Sequence, residues 1–128
     1  MQKLAMVSLL VPDYQSGIDF YCTALGFDLR HDTDLGDGKR WVVVAPTGAD
    51  TAFVLAKADG PDQIAAIGNQ GGGRVWLFLQ TDDFARDHDK MQKNGITFEE
   101  TPRHEPYGTV AVWRDPFGNR WDLIEFSG

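Results

Sequence analysis

A chain of 128 residues and 14.2 kDa has room for one compact domain or two small halves sharing a core, and its 42% hydrophobic and 24% charged residues are ordinary for a globular protein. Nineteen acidic against twelve basic residues leave a formal net charge of −7, which disfavours nucleic acid and anionic membranes as partners because phosphates are held by clustered Lys and Arg. Cys22 is the single cysteine, which excludes an intrachain disulfide and a CxxC metal motif.

The apolar run Ala5 to Val11 is too short to span a bilayer and is followed by no small-residue cleavage site, so a cytoplasmic protein is expected. Residues 4–11 (LAMVSLLV) read as a buried strand, apolar on both faces. Pro12-Asp13 ends it, and Asp13 is placed to cap a helix whose Tyr14, Ile18, Tyr21 and Leu25 share one face. Gly26 closes that helix, and Phe27 to Arg30 begin a second strand. A Gly-Asp-Gly turn at 36–38 leads to a third strand, Arg40 to Ala45, and a fourth follows from Thr51 to Ala56.

Residues 57–73 (KADGPDQIAAIGNQGGG) change character and read as a linker, with one short helical turn over Pro61 to Ile67. The pattern then restarts. Arg74 to Gln80 form a buried strand, Asp82 caps a helix bearing Phe84, His88 and Met91, and Gly95 ends it. Ile96 to Phe98, Tyr107 to Trp113 and Asn119 to Phe126 extend as further strands. Asp13 and Asp82 are 69 residues apart, as are Gly26 and Gly95, and Val43 falls opposite Val112 at the same offset. This periodicity predicts two βαβββ units in an α+β fold: module one at 1–58, a linker at 59–73 and module two at 74–128.

Three stretches carry a family likeness: "VPDYQSGIDFYCTALGF" (11–27), "TDDFARDHDKMQKNGITF" (81–98) and "DPFGNRWDLIE" (115–125). The first looks like the strand–Asp–helix–FY…LGF opening of the vicinal oxygen chelate superfamily, and the last like its Asp-Pro-x-Gly-Asn-x-x-acid-Leu ending. The chain thus resembles glyoxalase I, bleomycin-resistance proteins and extradiol dioxygenases over nearly its whole length. The resemblance implies paired modules curled into a cup of mixed sheet, often completed in a homodimer. It also implies one divalent cation, held by His or Glu from the first and last strands of each module, on which vicinal substrate oxygens chelate.

Carried over position by position, that ligand set is mostly missing. The first-strand position falls on Met6, whose thioether suits a hard centre poorly. The position closing module one falls within Ala52 to Leu55, and that of the fifth strand on Val75 or Trp76. Asp122 alone matches. A site from His104, Glu105 and Asp122 is conceivable but has no recognised spacing, while His88 reads as a packing residue and His31 as part of a solvated loop with Asp32 and Asp34. Cys22 has no adjacent His, Ser8 lies inside a strand without a GxSxG elbow, and Gly71-Gly72-Gly73 precede a strand rather than a helix, so neither nucleophile nor phosphate cradle is indicated.

Alternation places Asp122 on one strand face with Arg120, Ile124 and Phe126. A carboxylate there needs a partner: an ion pair with Arg120, Arg40, Arg114 or Arg103, a bound ligand, or a metal. The expectation is a metal-free protein binding a small apolar or aromatic molecule, with no cofactor and with Met6, Ser8, Trp76, Phe78, Tyr107 and Asp122 lining the site. The alternatives are a divalent-metal lyase, isomerase or dioxygenase rearranged around Asp122, and a dimeric scaffold with a filled cup.

Overall fold

The computed structural model describes residues 1–128, which divide into two compact units, Met1–Ile67 and Gly68–Gly128. The first runs β1 (Met6–Val11), α1 (Tyr14–Ile18), β2 (Asp28–Gly36), β3 (Lys39–Ala45), β4 (Ala52–Lys57) and α2 (Gly60–Ala66). The second runs β5 (Val75–Gln80), α3 (Phe84–Lys93), β6 (Arg103–Glu105), β7 (Gly108–Arg114) and β8 (Arg120–Phe126). Each unit holds one four-stranded mixed sheet, ordered β1-β4-β3-β2 and β5-β8-β7-β6. In each, the first strand pairs in parallel with the last, and the other pairings are antiparallel. This is the βαβββ unit, made twice, in an α+β fold.

Helix starts follow the sequence closely. Asp13 is extended and accepts from the Ser16 amide at 2.7 Å, satisfying a donor the first turn leaves unpaired. In the second unit the cap is Asp83, not Asp82, and it accepts from the Arg86 amide at 3.1 Å. Asp82 instead pairs with the Arg86 guanidinium. The caps are therefore 70 residues apart, whereas Gly26 and Gly95, both with φ near +90°, keep the offset of 69.

The extra residue lies in the first helix. After Ile18 its hydrogen bonding widens to a π turn over Asp19–Ala24, in place of the continuous α-helix expected through Leu25. Phe27 N–H consequently reaches back to Tyr21 C=O, while in the second unit Ile96 N–H closes the ordinary Schellman ring on Met91 C=O. The second strand is also longer than expected: β2 carries His31, Asp32 and Asp34 within its pairing to β3, not in a loop, although all three are exposed.

Strand alternation gives each sheet a helix-side face and an opposite face. In the first unit Gly17 of α1 lies against Leu55 and Val11, which fixes Leu9, Val44 and Phe53 on the helix side by register. In the second, the α3 backbone at Phe84 donates to Glu125 Oε1 at 2.6 Å, which puts Trp121, Leu123, Ala111 and Trp113 on that side. Trp113 and Trp121 stack there, 4.9 Å between centroids and both buried. Residues 68–73 belong to the second unit, where Gly68 sits against the Phe117 carbonyl. No helix is long and apolar enough to cross a membrane.

Candidate functional site

Asp122 is positioned by the turn before it. Asp115, 3% exposed, accepts hydrogen bonds from the amides of Phe117, Gly118 and Asn119, from Asn119 Nδ2 and from Trp121 Nε1, all between 2.9 and 3.1 Å. One carboxylate thus closes the Asp-Pro-Phe-Gly-Asn turn and holds the Trp121 indole on the helix side. The next residue must then face the other way. Asp122 does, and it shares that face with Phe78 on β5 and Val112 on β7, its partners in register.

Asp122 is 8% exposed, and its Oδ1 has no hydrogen-bond partner within the protein. Burial pushes its carboxyl above the usual carboxylate range; Arg103 opposes that shift, Glu100 adds to it, and Arg120 opposes it. None of the four arginines expected as ion-pair partners takes that role. Arg120 and Arg114 both donate Nε to Glu99, Arg103 bridges Glu100 and Glu105, and Arg40 forks onto Asp32. The nearby cations are held by other acids. Asp122 is left as a buried acceptor awaiting a donor.

The other expected site residues divide between the two units. Met6 and Ser8 lie on β1 opposite Ala52 and Val54, on the face away from α1, and both are exposed. Val54 packs there against Val43, Ala45 and Ala52. In the second unit Phe78 is 65% exposed beside the buried Asp122, and Trp76 is half-buried near the start of the same strand. Tyr107 lies exposed in the turn between β6 and β7, close to Arg103. Trp76, Phe78, Tyr107 and Asp122 are thus gathered in one unit.

Do these residues fit a divalent metal? Ser8 and Phe78 each stand five residues before a capping Asp and pair with Val54 and Asp122 respectively, so Val54 is the counterpart of Asp122. Counted from the caps Met6 corresponds to Trp76, and by pairing register to Val75, because β5 bulges between Val75 and Leu77. The four positions that bind metal elsewhere in the fold therefore hold Met, Val, Val or Trp, and Asp, one hard oxygen donor among them. The rearranged alternative fails as well. His104 pairs with Thr109, whose neighbour in register is Glu125 on the helix side, while Glu105 and Asp122 face the opposite way. No three His, Cys, Asp or Glu side chains are grouped to hold an ion. The donor set does not fit the family's metal, and no step is derived through one.

Sequence reasoning missed the ring of charge around Asp122. Glu100 accepts from the Val112 amide at 3.0 Å and from Arg103 at 2.6 Å, which places an acid–base–acid string beside the carboxylate. The signal was in "FEETPRHE", where Glu99, Glu100, Arg103 and Glu105 crowd a short polar stretch.

The same architecture occurs in known proteins. Over 98% of its length the chain is 49% identical to an uncharacterized protein of Shewanella frigidimarina, 95% of which it covers. It is 34% identical to TnmS3, an antibiotic binding protein from Streptomyces sp. CB03234, with TM-score 0.79 and coverage of 99% of this chain and 98% of that one. UcmS2 superposes with TM-score 0.83 at 28% identity, over 97% of this chain and 98% of its own. Residues 3–123 match the family profile itself, so the chain belongs to the Glyoxalase/Bleomycin resistance protein/Dioxygenase superfamily.

Proposed function

We propose that this protein is a metal-free small-molecule binder, which holds a flat apolar or aromatic ligand against Phe78 and Trp76 and accepts a hydrogen bond from it at Asp122. The carrying observation is Asp122: buried, its Oδ1 unpartnered, beside a largely exposed phenyl ring. An acceptor of this kind discriminates sharply, since ligands without a matching donor leave it unpaired and desolvated. The exposed ring supplies dispersion and stacking area. The antibiotic-binding relative supports this reading, as does the poor fit of the side chains to a metal. No cofactor is required, and the protein acts as a homodimer in the cytoplasm.

Titration with bleomycin and a panel of planar aromatic antibiotics, followed by calorimetry and tryptophan fluorescence, tests the reading. At least one compound should bind saturably at one per chain, and Asp122→Asn should weaken it about tenfold or more, the worth of a hydrogen bond to a charged group. Light scattering after gel filtration reads the dimer. Stoichiometric binding of Mn, Ni, Zn or Fe(II) that is lost in Asp122→Ala would replace the metal-free reading with the metal-dependent enzyme.

A further inference from the structure

We infer a second binding site in the Gly68–Gly128 unit, next to the first at Trp76, for a small oxyanion, with inorganic phosphate as its simplest representative. The site is a cavity of about 80 Å³ between the glycine loop 68–73 and the turn joining β7 to β8, lined by Arg74, Arg114, Arg120, Asn119 and Trp76. A single water needs about 10–15 Å³ of such space, so the cavity has room for several waters or one small oxyanion.

Charge is the first reason. A chain of net charge −7 places three of its twelve basic residues around this one cavity. Glu99 offsets one of them. Burial pushes the Glu99 carboxyl up, but the hydrogen bonds from Arg120 and Arg114 outweigh burial and hold it below the usual range, so it stays ionised as a strut between the two guanidiniums. Both arginines spend Nε on that strut, and Arg120 gives one terminal N–H to the Gly73 carbonyl at 3.2 Å. The remaining terminal N–H groups of Arg114 and Arg120, with the unpaired guanidinium of Arg74, leave a fork of donors suited to oxyanions.

The loop is held rigidly enough to act as a wall. A Cβ on Gly68 would lie 1.9 Å from the Phe117 carbonyl oxygen, and one on Gly71 would lie 2.6 Å from Trp76 Cβ. Only glycine permits these approaches, which gives "GNQGGG" a purpose that a flexible tether would not require.

Asn119 helps to fix the cavity wall. It is 2% exposed, and its Nδ2 donates to the Asp115 carboxylate at 2.9 Å, which fixes the orientation of the amide. Its Oδ1 therefore remains an acceptor, and it has no partner in the protein. That atom is sealed from solvent, so the arginine fork alone defines the ligand, and any small oxyanion that offers it acceptors fits.

The test titrates inorganic phosphate against the whole protein at pH 7 and constant ionic strength, with calorimetry and tryptophan fluorescence as readouts and sulfate, which carries no proton, in a parallel arm. Phosphate and sulfate should each bind saturably at one per chain, because both offer acceptors to the same arginines. Arg74→Gln removes a side chain with no partner in the fold, so it should leave the far-ultraviolet dichroism unchanged and weaken phosphate about tenfold or more. Arg86→Gln, at an exposed ion pair on α3, should leave phosphate binding unaltered. Absence of saturable phosphate binding, or binding indifferent to Arg74→Gln, would overturn the site. The antibiotic titrations turn on Asp122→Asn and the phosphate titrations on Arg74→Gln, so either reading can fail alone.

Discussion

In the first unit the packed centre of the sheet face away from the helix is apolar, made by Val43, Ala45, Ala52 and Val54, with Ser8 exposed beside it. In the second unit Asp122 takes the place of Val54, with Glu100 and Arg103 close by. The helix-side faces, by contrast, are alike: Leu9, Val44 and Leu55 in one, Trp113, Trp121 and Leu123 in the other, all buried. A strand register is held by whichever face is packed, so the second face can change chemistry without disturbing it. The duplicated core therefore carries two different surfaces, and the second buries a carboxylate oxygen without a partner where the first has Val54.

The comparison can be broken most severely at the turn that only the second unit possesses. Asp115→Ala orphans five donors, three of them backbone amides, and should cost about 3–4 kcal/mol in urea unfolding at pH 7. The corresponding connection in the first unit uses an Ala49-to-Pro46 backbone bond and the exposed Thr47–Asp28 contact. Thr47→Ala should consequently cost less than about 1 kcal/mol.

Exchanging the two surfaces is the next test. Val54→Asp would place a carboxylate among Val43, Ala45 and Ala52 with no partner, and should destabilise the protein by about 2 kcal/mol at pH 7, recovering on acidification. The reverse change, Asp122→Val, should stabilise it by about 1 kcal/mol at pH 7. The sign follows from linkage: the native state holds the Asp122 proton more tightly than the unfolded chain, so native stability falls as pH rises from the unfolded pKa through the raised native one. The advantage of Asp122→Val should thus be present above that window and lost below it, as urea midpoints at pH 7 and pH 3.5 would show. Smallest of all, Arg74→Gln should shift stability by under about 0.5 kcal/mol, because its side chain has no partner to lose.

The repeat was legible in the sequence because caps, glycines and apolar strands are local signals: Asp13, Gly26 and Gly95 all act as their sequence context predicts. The choice between Asp82 and Asp83 was not, since adjacent aspartates offer the same chemistry and the backbone angle decides. The face occupied by Asp122 followed from alternation alone, but its lack of an ion pair did not. Whether Arg120 turns to Asp122 or to Glu99 depends on where the irregular segment before β6 folds back, and no periodicity encodes that. The arginine cavity was hidden for the same reason: Arg74, Arg114 and Arg120 are far apart in sequence and meet only through the strand pairing and the folded glycine loop.

The widened turn of the first helix bears on how the two halves came to differ in length. Counted from caps, glycines and strand partners, the offset between them falls from 70 to 69 across the helix and, from Val43–Val112 to Val54–Asp122, to 68 across the following hairpin. Both changes fall where an odd residue does not invert a strand, one absorbed by loosening a helical ring and the other by a looser bend. If the halves descend from one ancestral copy, insertions and deletions survived at these two joints and at the bulge in β5 between Val75 and Leu77. New residues added to this scaffold by design should be placed there too.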